Sequence, residues 1–194
     1  MVPSTRAGED EMSTDREPIR FRFAARKALQ AVDWMLSRHR SLDLHAILKA
    51  CYFADKEHLN RHGRPIFGAS YRAMRYGPVP VEIYELLKGE PLRIREAGVE
   101  RLPWRLEGYH VRRRSNREPE LSALSASDRE CLERALARSV AMTFDERTAA
   151  THGPDWQKAR MGWIDYRDMV DEDNPLRAAI IEELEDPETW RMEL

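Results

Sequence analysis

The stretch Leu44–Gly89, LHAILKACYFADKEHLNRHGRPIFGASYRAMRYGPVPVEIYELLKG, decides how this chain folds. Its first half has helical spacing. Leu44, Ile47, Leu48 and Cys51 form one stripe, and the same stripe continues into Asp55, His58 and His62. This helix is therefore apolar at its start and polar on the same face at its end. Ser41 or Asp43 can accept the orphan N–H groups at its start, Gly63 supplies the stop and Pro65 prevents resumption. Ala69–Arg75 alternates Tyr71, Ala73 and Arg75 against Ser70, Arg72 and Met74, which predicts a short extended piece. Gly77-Pro78 predicts a turn, and Pro80 lies near the first turn of a second helix, where its missing N–H costs nothing. Val79, Ile83, Leu86 and Leu87 give that helix its apolar face, and Gly89 ends it.

Outward from this stretch, Ala24, Ala28, Val32, Met35 and Leu36 predict a helix over about Phe23–Arg38. Between Glu90 and Ser122 the run WRLEGYHV (Trp104–Val111) predicts one or two strands, a hairpin completing a small sheet with the Tyr71 segment. Ser127 with Glu130 has capping-box spacing and opens a helix to about Met142, with a further short helix from about Phe144. Asn174-Pro175 reads as an N-cap and first helical position before Leu176, Ala179, Ile180 and Leu184. The expected fold is α+β, mostly α: a single domain of roughly five to six helices with a small antiparallel sheet. Residues 1–18 lack apolar periodicity and are expected to be a disordered tail, with the domain over 19–186 and a C-terminal tail over 187–194.

Bulk properties narrow the function classes. The 194 residues carry 32 Lys and Arg against 34 Asp and Glu, a formal charge of −2 that exerts no global pull on nucleic acid. No apolar run approaches the roughly 18 residues of a membrane span. The opening MVPSTRAGEDEMSTDREP has no apolar core, so no secretory signal is expected. Cys51 and Cys131, the two cysteines, both occupy apolar helical positions, which points to buried inert thiols and a reducing cytoplasm.

Catalytic signatures are missing: there is no GxxxxGK[ST], no GxGxxG and no GxSxG. Asp55, His58 and His62, at i, i+3 and i+7, share a helix face and could serve as metal ligands. The competing expectation is that Asp55 binds a backbone group or an arginine while the histidines edge the fold. In YRAMRYGPVP the residues Tyr71, Arg72, Arg75 and Tyr76 fit a stacking platform for nucleic acid, a protein-binding hot spot, or core tyrosines with satisfied hydroxyls; spacing does not separate these. Arg112, Arg113, Arg114 and Arg117 form a basic run. Such a run can contact nucleic acid, and in an acidic chain it is expected to be a solvated loop.

Taken together, Leu48…Tyr52-Phe53-Ala54-Asp55, His58-Leu59, Gly63-Arg64-Pro65-Ile66, Tyr71 with Ala73, and Gly77-Pro78-Val79-Pro80 leading to Ile83-Tyr84 resemble the signature segment of the Panacea domain, the SocA-like antitoxin family also met as phage-associated proteins. Thr151-His152…Trp156…Ala159-Arg160, followed by Ile164 and Asp165, resembles that family's C-terminal motif, in the expected order, so that the resemblance spans about Phe23–Val170. Phe67 stands where a small polar residue is expected, and Cys51 replaces a common aliphatic. The resemblance implies a non-enzymatic antitoxin, encoded beside a toxin and neutralising it by direct protein binding, without metal or cofactor. One member type acts as an adaptor delivering its toxin to an AAA+ protease. It also implies a polar cluster or toxin interface at Tyr52, Asp55, His58, Tyr71, Tyr76, Gly77, Pro78, His152 and Trp156. Asp55, His58, Tyr71, Tyr76 and His152 are expected to approach one another and fix the GPVP turn. A nucleic-acid-binding regulator using Arg112–Arg117 and the Tyr71 region is the alternative.

Overall fold

A computed structural model describes residues 18–186. In chain order the elements are α1 (Ala25–His39), β1 (Ser41–Asp43), α2 (Leu44–His62), β2 (Tyr71–Met74), β3 (Gly77–Pro80), α3 (Val81–Lys88) and α4 (Pro91–Glu96). They continue with β4 (Trp104–Glu107), β5 (His110–Arg113), α5 (Ala126–Ala141), α6 (Phe144–Ala150), α7 (Pro154–Ala159), α8 (Tyr166–Met169) and α9 (Arg177–Glu185).

Everything is built on α2. Asp43, not Ser41, caps it: Oδ1 accepts the Ala46 N–H at 2.7 Å. At the other end Gly63, at φ +73°, donates its N–H to the Leu59 carbonyl. Every residue from Ala46 through Asp55 is buried, with His58 and Leu59. A helix covered on all sides is a core helix, not an amphipathic surface one. Its main partner is α5, and Ser139 Oγ of α5 donates to the Ala46 carbonyl at 2.8 Å. Chain segments at the far end are tied to α2 through Asn60. Its Nδ2 donates to the Met169 carbonyl, its Oδ1 accepts from the Asp171 N–H, and Asn174 donates to its carbonyl.

The fold class is α+β and mostly α, with nine helices among the described residues against the five to six expected. The difference lies in α4, α7 and α8, which span four to six residues and are too short to show a repeating apolar stripe. The sheet expectation is corrected. The β4–β5 hairpin does not join the Tyr71 segment. It pairs through β5 with the three-residue β1, in the order β1-β5-β4, while β2 and β3 form a separate two-stranded hairpin. The reversal in that hairpin lies at Arg75-Tyr76, and Gly77-Pro78 is already strand, with Met74 opposite Gly77.

Two helix starts also shift. The capping box of α5 is Ser125 with Asp128, not Ser127 with Glu130. The last helix begins at Arg177 behind Leu176, because the Asn174 side chain is engaged with Asn60 and the Leu176 N–H. The tails expected at 1–18 and 187–194 lie, except for Pro18, outside the described residues. Within the described residues no helix is long and apolar enough to cross a membrane.

The basic run is divided by the fold. Arg113 is nearly buried and makes a two-pronged ion pair with Asp33 of α1, at 2.7 and 3.0 Å. Arg112 pairs with Glu107 across the hairpin, and Arg114 and Arg117 are exposed. Arg113 therefore ties the sheet to α1. Arg113→Ala should cost about 2 kcal/mol, since truncation leaves Asp33 partly buried without its partner. Thermal unfolding checks this, and an unchanged melting temperature would contradict it.

Candidate functional site

Three buried carboxylates hold the motif residues. Asp55 Oδ1 accepts the N–H groups of Ile66 and Phe67 at 2.7 and 3.0 Å, and Oδ2 accepts the Tyr71 hydroxyl at 2.9 Å. Asp55 thus bolts α2 to the connecting chain and to β2. Burial pushes its carboxyl up to about 6, against the pull of the Phe67 and Ile66 N–H groups and the Tyr71 hydroxyl. The Tyr52 hydroxyl donates to Asp155 at 2.5 Å, fastening α7 to α2, and the Tyr52 and Tyr71 rings meet edge to face at 5.8 Å. His58 faces the Arg64 carbonyl through Nδ1 at 2.8 Å and Asp128 of α5 through Nε2 at 3.2 Å. Asp128 also accepts from Lys27 of α1 at 2.9 Å. Although burial works against its charge, the bonds from His58 and Lys27 hold its carboxyl well below the usual range.

Beside these bolts the β2–β3 turn is gripped by its backbone. Trp156 Nε1 donates to the Met74 carbonyl at 2.9 Å, and the His152 ring, stacked on Trp156 at 3.7 Å, lies beside the Arg75 backbone. His45 Nε2 lies 3.3 Å from the Tyr76 carbonyl, and Lys49 Nζ donates to the Pro78 carbonyl at 2.8 Å. Side chains from α2 and α7 therefore fix the carbonyls of Met74 and Tyr76 in the turn and of Pro78 just beyond it, with the loop before α7 packed alongside. The side chains of that turn face outward: Met74, Arg75 and Tyr76 are exposed, with the Arg75 guanidinium over the Tyr76 ring at 5.3 Å.

Gly77 closes the turn at φ +93°, in the left-handed region, and its α-carbon faces the Thr151 hydroxyl and Lys49. A Cβ there would collide with Thr151 Oγ1 and stand 2.8 Å from Lys49 Nζ. The Thr151-His152 motif thus packs directly on the Gly77-Pro78 motif. Gly77→Ala should lose about 3 kcal/mol through backbone strain and displacement of Thr151. Thermal unfolding tests it, and a loss below about 1 kcal/mol would contradict this packing.

An apolar groove of about 600 Å³ opens alongside the turn. Leu44 and Leu48 of α2, Val79 of β3, and Met74, Tyr76 and Phe144 line it, with Tyr109 at the rim. The Phe144 ring lies against His45 at 4.2 Å and edge-on to Tyr76 at 5.2 Å. Arg147 braces the groove by pairing with Asp43 and donating to the carbonyls of Ser139 and Met142.

The family model for the antitoxin SocA-like Panacea domain matches residues 47–157, more than half of the chain. The chain belongs to the SocA-like Panacea antitoxin family. No curated protein and no solved structure matches it at a significant level.

In this Panacea domain the matched stretch begins inside α2 and ends in α7, so it contains the Asp55 bolt and the Trp156–Met74 bond. The five residues expected to converge do not form one centre. Asp55 bonds Tyr71, His58 turns to Asp128 and Arg64, His152 stacks on Trp156, and Tyr76 points to the groove. The reason is geometric. Asp55 and His58 are one helical turn apart, and each is claimed by a different neighbouring segment. The metal-ligand arrangement expected at Asp55, His58 and His62 is likewise dispersed: the exposed His62 ring lies tilted against His58 at 4.5 Å, and Asp55 is spent on Ile66, Phe67 and Tyr71. Among the described residues no three His, Cys, Asp or Glu side chains are grouped as metal ligands. Of the three readings of YRAMRYGPVP, Tyr71 is core, while Tyr76 is exposed. Arg72 lies over the exposed Trp163 ring at 5.7 Å, with Arg20 at 5.0 Å.

Sequence reasoning missed His45, Lys49, Met74, Tyr109 and Phe144 as site residues. Tyr109 and Phe144 belong to distant segments with no shared spacing. Lys49 carried one signal, a cation inside a run whose neighbours are all apolar.

Proposed function

We propose that this protein is a cytoplasmic antitoxin that neutralises a cognate toxin by direct, non-catalytic binding through the Met74–Tyr76 turn and the adjoining groove. Membership of the antitoxin family supports the role. The observation that carries the surface is the grip on the turn: Trp156, His45 and Lys49 hold its carbonyls from within, so Tyr76 is offered to a partner in a fixed position. Preorganisation lowers the ordering cost of binding, and exposed aromatic and arginine side chains are the commonest binding hot spots. Nucleic-acid binding draws no support from Arg113, which is committed to Asp33.

The test is co-expression with the product of the adjacent gene. Growth is scored with and without this protein, followed by pull-down at moderate salt. Rescue with a stable complex is expected. Toxicity without rescue, or no toxicity, would contradict the proposal. Adaptor action toward an AAA+ protease is a separable step, read by whether toxin abundance falls on co-expression or stays constant in the complex.

A further inference from the structure

Four large apolar side chains stand open around the groove: Met74, Tyr76, Tyr109 and Phe144 are 38%, 49%, 81% and 42% exposed. Contiguous exposed apolar surface marks an interaction site. Its charges are unbalanced. The acidic residue in the lining, Asp43, is already engaged by Arg147 and by the Ala46 N–H. Against it stand Lys49, 1% exposed at the back of the groove, and Arg75 at the tip of the turn; neither has a carboxylate partner among the described residues. The Lys49 ammonium has three N–H donors and finds the Pro78 carbonyl for one of them. A buried cation without a counter-ion is costly to hold, so Lys49 gives up its proton readily near neutral pH, and an arriving carboxylate removes that cost and keeps the charge in place. Excluding water from the groove strengthens the attraction further.

We propose that the groove receives a toxin segment that places apolar side chains against Tyr76 and Phe144 and a carboxylate toward Arg75 and the field of Lys49. This rests on the antitoxin function proposed above and adds the chemistry of the partner. The occupant is an acidic, apolar protein segment; a purely apolar one is an outcome of the test.

The experiment titrates the full-length protein with the purified product of the adjacent gene at 50 and 500 mM NaCl. Wild-type affinity is expected to fall about tenfold between the two salts, as for attraction between opposite charges. Phe144→Ala should weaken binding about thirtyfold at both salts. Arg75→Glu should weaken it thirtyfold or more at low salt and flatten the salt dependence, while Arg75→Lys stays within about threefold. Lys49→Met should weaken it about tenfold, with circular dichroism verifying that the variant is folded. If Phe144→Ala weakens the complex but Arg75→Glu and Lys49→Met bind like wild type, the acidic anchor is wrong and the groove stands. If every variant binds like wild type, the groove is not the site, although the complex and the antitoxin function survive. Absence of any wild-type complex at either salt overturns the function and this inference together.

Discussion

Asp55→Ala should destabilise the protein by about 4 kcal/mol, the largest single loss expected among the motif side chains. The substitution removes the acceptor for three donors at once: the N–H groups of Ile66 and Phe67 and the hydroxyl of Tyr71. All of these residues are fully buried, so water cannot replace the carboxylate without opening the core. An unsatisfied buried donor costs about 1–3 kcal/mol, and relaxation recovers part of the sum. For a domain of this size the melting temperature should fall by about 8–16 °C. Asp55→Asn retains one oxygen for the two N–H groups and should lose less than half as much. If Asp55→Ala melts within about 2 °C of wild type, Asp55 is not the bolt between α2 and β2.

The second large effect changes sign with pH. Burial, with the Arg147 charge adding to it, lowers Lys49 to about 7 from an ordinary 10.5. Between these values the unfolded chain holds the proton and the folded chain releases it. Stability therefore rises with pH across that window, by at most about 5 kcal/mol, and the penalty is present in full below pH 7. His45 is held at about 4, by burial first and then by Lys49, and stays neutral throughout. His152 is also lowered from 6.5 and titrates below the window, while the raised thiols of Cys51 and Cys131 and the raised Tyr71 hydroxyl oppose the rise near its upper end, so the difference between variant and wild type isolates Lys49. Lys49→Met removes the charge, keeps the stem packing, and leaves the Pro78 carbonyl without its donor at a cost of about 1–3 kcal/mol. The variant should melt above wild type at pH 6 and below it at pH 10. A difference of constant sign and size from pH 6 to 10 would show that Lys49 is not held as a buried cation.

Much of the scaffold was legible because its signals are local. Asp43 and Gly63 bracket α2 through contacts three or four residues away, and the Tyr71 strand showed its alternation. Non-local choices were not legible. β1 is three residues long, and its pairing with β5 is set by chain closure more than 60 residues away. Two serines two residues apart each precede an acid by three; Ser125 wins because Asp128 is also claimed by Lys27, His58 and Arg64. The motif residues were recognisable, but their roles divided in ways that spacing cannot show. Asp55 and Tyr71 became core bolts, Trp156 and His152 became supports, and Tyr76 became surface. The groove joins Leu44, Met74, Tyr109 and Phe144 from separate segments, and no sequence period links them.

If the gripped turn and its groove form the toxin-binding surface, a bound toxin must shield them from solvent. Hydrogen–deuterium exchange of the full-length protein, alone and with the product of the adjacent gene, tests it most directly. New protection should concentrate in the turn and β3, residues 74–79, and at the start of α6, residues 144–148. Protection confined to α4, α9 or the α1 face, with the turn exchanging as in the free protein, would contradict it.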